Sequence, residues 1–194
     1  MKTEEIVPLS AMPYFHKTLA GDPYSAALLW NEMNPMDPYD DRRGQLCWLL
    51  FGEGCPPPSL SVVVEATWRR DPGLLHGDRH AINHYDYHSV RSDMLKLFSC
   101  CQFPKPRASG YFRVYRGVAG VGLSIARKGF SWTTSKDGAA AYARYASNAL
   151  KCPPLIIAAD IQSKDISLHA HLSRCDEMVV FDESSTQNAW VVNC

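Results

Sequence analysis

The sequence predicts an α+β protein, helical in its N-terminal part and rich in strands in its C-terminal part. Three observations carry this expectation. Good helix formers and leucines at helical spacing fill Ser25–Met33 and Arg43–Phe51. The stretch Phe103-Pro104-Lys105-Pro106-Arg107-Ala108-Ser109-Gly110 then breaks the chain, because two prolines and a glycine cannot continue a helix. Beyond it the pattern turns to aromatic and β-branched runs. Two regions are expected: a mostly helical one over 1–105 and a compact strand-rich one over 110–194.

Composition sets the outer limits. A chain of 194 residues suits one domain, or one domain with a helical extension. Hydrophobic residues at 46% are enough for a real core. Twenty basic and twenty acidic residues balance to a formal net charge of zero, which removes any global pull toward nucleic acid and leaves only a local basic patch open. The opening Met1-Lys2-Thr3-Glu4-Glu5-Ile6 has no apolar run, so no signal peptide is expected. No stretch reaches bilayer-crossing length, so no membrane partner is expected. Seven cysteines, an odd number, then read as reduced thiols in a cytoplasmic setting, of a producing or a host cell, rather than as a disulfide framework.

Taken in order, residues 1–24 hold scattered prolines and no clear period, and read as mostly irregular. The helix over Ser25–Met33 must stop near Asn34-Pro35, since the residue before proline is pushed out of the α region. Pro38–Asp41 reads as a loop, and the helix Arg43–Phe51 carries Leu46, Leu49 and Leu50 on one face. Gly52–Pro58 is a firm break. Leu60–Trp68 is ambiguous: its β-branched run favours a strand, its surroundings a helix, and helix is preferred because no partner strand is near.

Leu74–Cys101 reads as one long helix or two. Within it His76, His80, His84 and His88 recur every fourth residue. Such steps advance only about 40° around a helix, so the imidazoles stack along one face. A metal site assisted by Asp78 or Asp86 is one reading. A polar helix stripe is the other and the preferred one, because a straight helix cannot aim four histidines at one ion.

The C-terminal region reads as strand (112–118), loop, short strand (130–134), helix (136–150), strand (155–161), strand (177–181) and a last strand near Trp190-Val191-Val192. Ser135 is the expected N-cap of the helix, with Asp137 in its positively polarised first turn.

Three pieces of this region form an ordered triplet. Tyr115-Arg116-Gly117 ends a strand, Phe130-Ser131-Trp132-Thr133-Thr134-Ser135 clusters hydroxyls, and Arg174-Cys175-Asp176-Glu177 runs into the apolar Met178-Val179-Val180-Phe181. The order resembles the mono-ADP-ribosyltransferases of the cholera-toxin-like branch, whose pattern is Arg, then Ser-Thr-Ser, then Glu-x-Glu. The resemblance covers roughly the last 85 residues. It implies an ADP-ribosyltransferase-like split β-sandwich over 110–194 that binds NAD as its substrate, and leaves 1–105 as an accessory or target-recognition region.

The chemistry needs those residue types. Cleaving the bond between nicotinamide and ribose passes through an oxocarbenium-like transition state. It calls for a cation on the pyrophosphate or ribose, a hydroxyl that sets geometry, and a carboxylate near the anomeric carbon. Arg116 is the expected cation, its guanidinium fork suiting phosphate oxygens, with Gly117 letting backbone and ligand approach. The plainer reading of Arg116 is a strand-end arginine in a surface ion pair.

Matched on the last serine of the family motif, Thr133 takes the place of the serine that orients the glutamate. Ser131 is a rival, since on a strand it faces the same way as Thr133. Glu177 is the expected catalytic carboxylate. Trp132 and Tyr142 are assigned to the cofactor side of the site, although Ala141-Tyr142-Ala143 resembles the family's small-aromatic-small face that packs under the site, and core is the preferred reading of Tyr142 over a base-stacking platform. Arg116, Thr133 (or Ser131) and Glu177 are expected to converge on one cleft.

One departure bears on the acceptor. The family places Glu or Gln two residues before the catalytic glutamate, and here that residue is Cys175, with Asp176 on the opposite side of the strand. The expected reaction is transfer of ADP-ribose to a macromolecule. A protein acceptor ranks ahead of a nucleic acid, which would have to rely on Lys105, Arg107, Arg113, Arg127 and Lys128. An NAD glycohydrolase, or a non-catalytic nucleotide- or protein-binding module on the same fold, remains the alternative.

Overall fold

The computed structural model describes residues 7–33, 42–70, 87–103, 109–171, 176–180 and 183–192; at 87–91, 169–171, 176–180 and 183 the description is of the backbone. The protein is α+β, and the chain divides into two compact units, Met1–Gln102 and Phe103–Cys194. The division falls where the proline-containing stretch begins.

The first unit is helical: α1 (Phe15–Leu19), α2 (Pro23–Glu32), α3 (Arg42–Gly52), α4 (Pro57–Arg70) and α5 (Tyr87–Ser99). Asp22 caps α2, accepting from the Tyr24 amide at 3.1 Å, and Pro23 takes the first helical position, where its missing N–H costs nothing. In α4 the residues Leu60, Val63, Val64, Thr67 and Trp68 are all buried. That i, i+3, i+4, i+7, i+8 stripe is why helix prevails over the β-branched run: one continuous face goes into the core.

Trp68 meets the Phe98 ring edge-on, with centroids 5.3 Å apart. Thr67 is buried too, and is satisfied three times: its hydroxyl donates to the Val63 carbonyl at 2.8 Å and accepts from the Trp30 indole N–H at 2.9 Å and from the Cys47 thiol at 3.4 Å. Within residues 1–24 the structure differs from the irregular expectation. Phe15 and Thr18 are buried, and that tertiary burial holds a five-residue helix no local propensity would sustain.

Among the described residues Cys47, Cys55, Cys100, Cys101 and Cys152 are free thiols. Burial pushes the Cys47 and Cys101 thiols up to about 12, so both are neutral at physiological pH. No helix among the described residues is long and apolar enough to cross a membrane.

Where a split β-sandwich was expected, the described residues of the second unit form one antiparallel sheet of six strands: β1 (Tyr111–Ala119), β2 (Ser131–Thr133), β3 (Pro154–Gln162), β4 (Ile166–His171), β5 (Asp176–Val180) and β6 (Trp190–Val191), in the order β4-β5-β2-β1-β3-β6. Helix α6 (Leu123–Ala126) follows β1, and α7 (Lys136–Leu150) follows β2. Alternation along β1 sends Tyr115 and Gly117 to the face covered by α7, where Ala139, Ala143 and Ile156 pack. Val114 and Val118 go to the other face, in a cluster with Ala126, Trp132, Ile157, Ala159, Ile161 and Ile166.

Two elements here were not anticipated. Strand β4 buries Ile166 and Leu168, and its Ile166, Leu168 and Ala170 alternate with Ser167, His169 and His171 in the period-two pattern of a half-buried strand, with a register shift in its pairing between Ile166 and Leu168. Helix α6 replaces the expected loop because Ala126 is buried in the cluster and Leu123 packs against it.

Ser135 caps α7 as expected, accepting from the Gly138 amide at 3.0 Å. Changing Ser135 to Ala should lower the stability of the unit by about 0.5–2 kcal/mol, read from chemical denaturation of the full chain. An unchanged midpoint would mean that the cap contributes nothing.

Candidate active site

The register of the central strands brings part of the triplet together. Thr133 on β2 stands directly opposite Glu177 on β5, and Tyr115 on β1 stands directly opposite Thr133. The same row continues to Ala170 on β4 and to Ala158 and Trp190 on β3 and β6. Directly paired residues share a face, with Cβ atoms about 4.5–5.5 Å apart. Ser131 faces the same way as Thr133 but is paired with Val179, which puts it diagonal to Glu177, at about 7–8 Å. Between the two rival residues, Thr133 is therefore the direct register partner of Glu177.

The Thr133 hydroxyl accepts the Ser135 amide at 3.1 Å, across the turn that leads into α7. A hydroxyl that accepts in this way keeps its own proton to donate elsewhere. Ser135 in turn caps α7, so a single short turn fixes the Thr133 hydroxyl and starts the helix.

Arg116 departs from the expected convergence. It lies one residue beyond Tyr115 on β1, so the pleat starts its side chain on the opposite face, beside Val114 and Val118. Its guanidinium then runs to the start of β2, where Nη1 donates to the Ser131 carbonyl at 2.6 Å. Thr133 and Glu177 thus share a row, and the cation reaches the same short strand from its other side. The reason is parity: adjacent residues on a strand cannot face one way, and the Tyr115–Thr133 pairing assigns the shared face to the tyrosine.

Three other expected residues have different surroundings. Trp132 is only 1% exposed, sits in the core cluster opposite α7, and donates its indole N–H to the Gly129 carbonyl at 2.9 Å. This corrects its assignment to the cofactor side: between Ser131 and Thr133 on a strand, it must face away from them. Tyr142 is 63% exposed, because the buried stripe of α7 is formed by Ala139 and Ala143, so it is not a core residue. Gly117 faces α7, and a Cβ there would fall on the Ala139 carbonyl oxygen, so helix packing explains this glycine.

Arg113, one of the basic residues considered for nucleic acid, pairs with Asp160 at 2.9 Å and lies under the Trp190 ring. The Asp160 bond raises the Arg113 pKa, and the Arg113 bond holds the Asp160 carboxyl below its ordinary value.

Tyr115, which packs against the Ala139–Ala143 cluster, was missed from the site. It belongs to the Thr133–Glu177 row, a fact hidden without the pairing register. Of the histidine stripe, His76, His80 and His84 lie outside the described residues, and His88 falls in the first turn of α5. Cys175, Lys105 and Arg107 also lie outside them. No group of three or more His, Cys, Asp or Glu among the described residues is placed to hold a metal ion. No protein-family model, no curated protein and no solved structure matches this chain.

Proposed function

We propose that the C-terminal unit is an ADP-ribosyltransferase-like NAD-binding domain, and that the chain is a mono-ADP-ribosyltransferase. The observation that carries this reading is the direct pairing of Thr133 with Glu177 on neighbouring inner strands, a hydroxyl opposite a carboxylate. Its support is the presence of the third required group on the next strand: β1 carries Arg116, whose guanidinium is held at the start of β2. Adjacent strands are about 4.8 Å apart, so the three backbones lie within about 10 Å, the scale of a ribose with its phosphate.

In the reaction the bond between the anomeric carbon and the nicotinamide nitrogen breaks, and its electron pair leaves with neutral nicotinamide. Positive charge then develops on the ribose, and the Glu177 carboxylate stabilises it. The Thr133 hydroxyl, tethered as an acceptor to the Ser135 amide, donates its proton to that carboxylate and fixes its orientation. Arg116 supplies the positive charge for phosphate or ribose oxygens, approaching around the start of β2, a strand of only three residues. An acceptor nucleophile bonds the anomeric carbon and loses its proton.

The acceptor would be macromolecular, with a protein ahead of a nucleic acid, and water would make the enzyme a glycohydrolase. Cysteine at position 175 is a poor hydrogen-bonding guide for an incoming guanidinium. Incubation of the pure protein with labelled NAD should release nicotinamide, and a cell extract should supply a labelled acceptor. Free agmatine should accept poorly, and Cys175→Glu should improve it. Absence of nicotinamide release would refute the reading. Release without any labelled macromolecule would assign hydrolysis instead, and efficient labelling of agmatine by the unaltered protein would refute the acceptor argument.

A further inference from the structure

The residue that decides where the Arg116 guanidinium lies is a glycine. A Cβ built on Gly129 would fall on Cζ, Nη2 and Nε of Arg116, so the guanidinium lies flat against a bare Cα. Nη1 of the same group donates to the Ser131 carbonyl at 2.6 Å, which fixes the plane from a second direction. Gly129 is itself tied at both ends. Its amide donates to the Ala126 carbonyl at 3.3 Å, and its carbonyl accepts the Trp132 indole N–H at 2.9 Å. Backbone freedom does not explain it, since Gly129 has no positive φ, unlike Gly120 at +73°. What the position requires is the missing side chain.

We infer that Gly129 is a positioning residue for the proposed NAD-binding arginine: its bare Cα forms the seat that presents the Arg116 guanidinium at the start of β2. The inference rests on the NAD reading above. A methyl at 129 meets the far end of a flexible side chain rather than backbone, so the fold accommodates it and the guanidinium is the group that moves. Gly129→Ala should therefore copy the functional loss of an Arg116 variant while keeping its charge.

The test compares wild type, Gly129→Ala, Arg116→Ala and the double variant, all in the full chain, by NAD titration and by nicotinamide release. Gly129→Ala should weaken NAD binding about tenfold or more, the scale of one charge-assisted hydrogen bond, with the rise appearing in KM and with kcat at saturation little changed. In the Arg116→Ala background the same change should add nothing, since no guanidinium remains to displace. Unchanged NAD affinity in Gly129→Ala, or an equal loss in both backgrounds, would overturn the inference while leaving the NAD reading intact. Failure of the wild type to bind NAD at all would instead remove the reading and the inference with it. Should Gly129→Ala fail to fold, the double variant decides: it folds if methyl and guanidinium collide, and its failure to fold overturns the seat.

Discussion

Glu177→Gln should reduce nicotinamide release on the order of 10²-fold or more while leaving NAD binding nearly intact. Glutamine keeps the shape and most of the hydrogen bonding of glutamate, and loses only the negative charge. That charge matters little to the ground state, where the nicotinamide ring carries the positive charge. It matters most as the charge passes to the ribose, so the loss belongs in kcat rather than in binding. The register sharpens the expectation, because Glu177 on β5 is the direct pairing partner of Thr133 on β2. Single-turnover kinetics with NAD titration would separate the two effects. Wild-type turnover in Glu177→Gln would make the residue structural, and a matching loss of NAD affinity would make it a binding group.

The second large effect concerns stability. Gly117→Ala should destabilise the C-terminal unit by about 1–3 kcal/mol, the range of forced overpacking. The added Cβ would fall on the Ala139 carbonyl oxygen and lie 2.8 Å from the Ala143 nitrogen, both backbone atoms inside α7. Helix backbone cannot swing aside as a side-chain tip can, so α7 must lift off β1. For a unit of this size each kcal/mol corresponds to a fall in Tm of about 4–8 °C. The sign is diagnostic. At an unobstructed strand position the same change stabilises, because alanine restricts the unfolded chain more than glycine does. A Tm equal to or above wild type would show that α7 does not press on Gly117.

The two glycines differ in what opposes their missing side chains. At 117 backbone stands in the way and the expected cost is in folding; at 129 a guanidinium does, and the expected cost is in binding. Both look alike in the chain, Gly117 next to Arg116 and Gly129 two residues before Ser131. Only the neighbours brought by folding tell them apart.

Signals carried by near neighbours were legible. Ser135 followed by Asp137 announced the start of α7, and the prolines after Phe103 marked where the chain divides. These depend on local backbone geometry, which a few adjacent residues determine. Strand β4 carried a short alternation, Ile166, Leu168 and Ala170 against Ser167, His169 and His171, but its partner β5 lies further along the chain, and only that pairing sets its place in the sheet. Tyr142 was misplaced for a related reason: helical spacing groups residues into faces but does not say which face is buried. In α7 the small residues Ala139 and Ala143 go inward, because the sheet comes close at Gly117 and leaves no room for a ring.

By itself, then, the sequence determined the α+β class, the helical first part, the stretch where the chain divides, and the residue types on which the proposal of NAD chemistry rests. Tertiary structure alone decided that Thr133 rather than Ser131 stands opposite Glu177, that Trp132 belongs to the core, and that Arg116 starts from the far face. The physical reason is register. A strand's side chains alternate with a period of two, so a pairing shifted by one residue would exchange the faces, and nothing local to β1, β2 or β5 sets that shift.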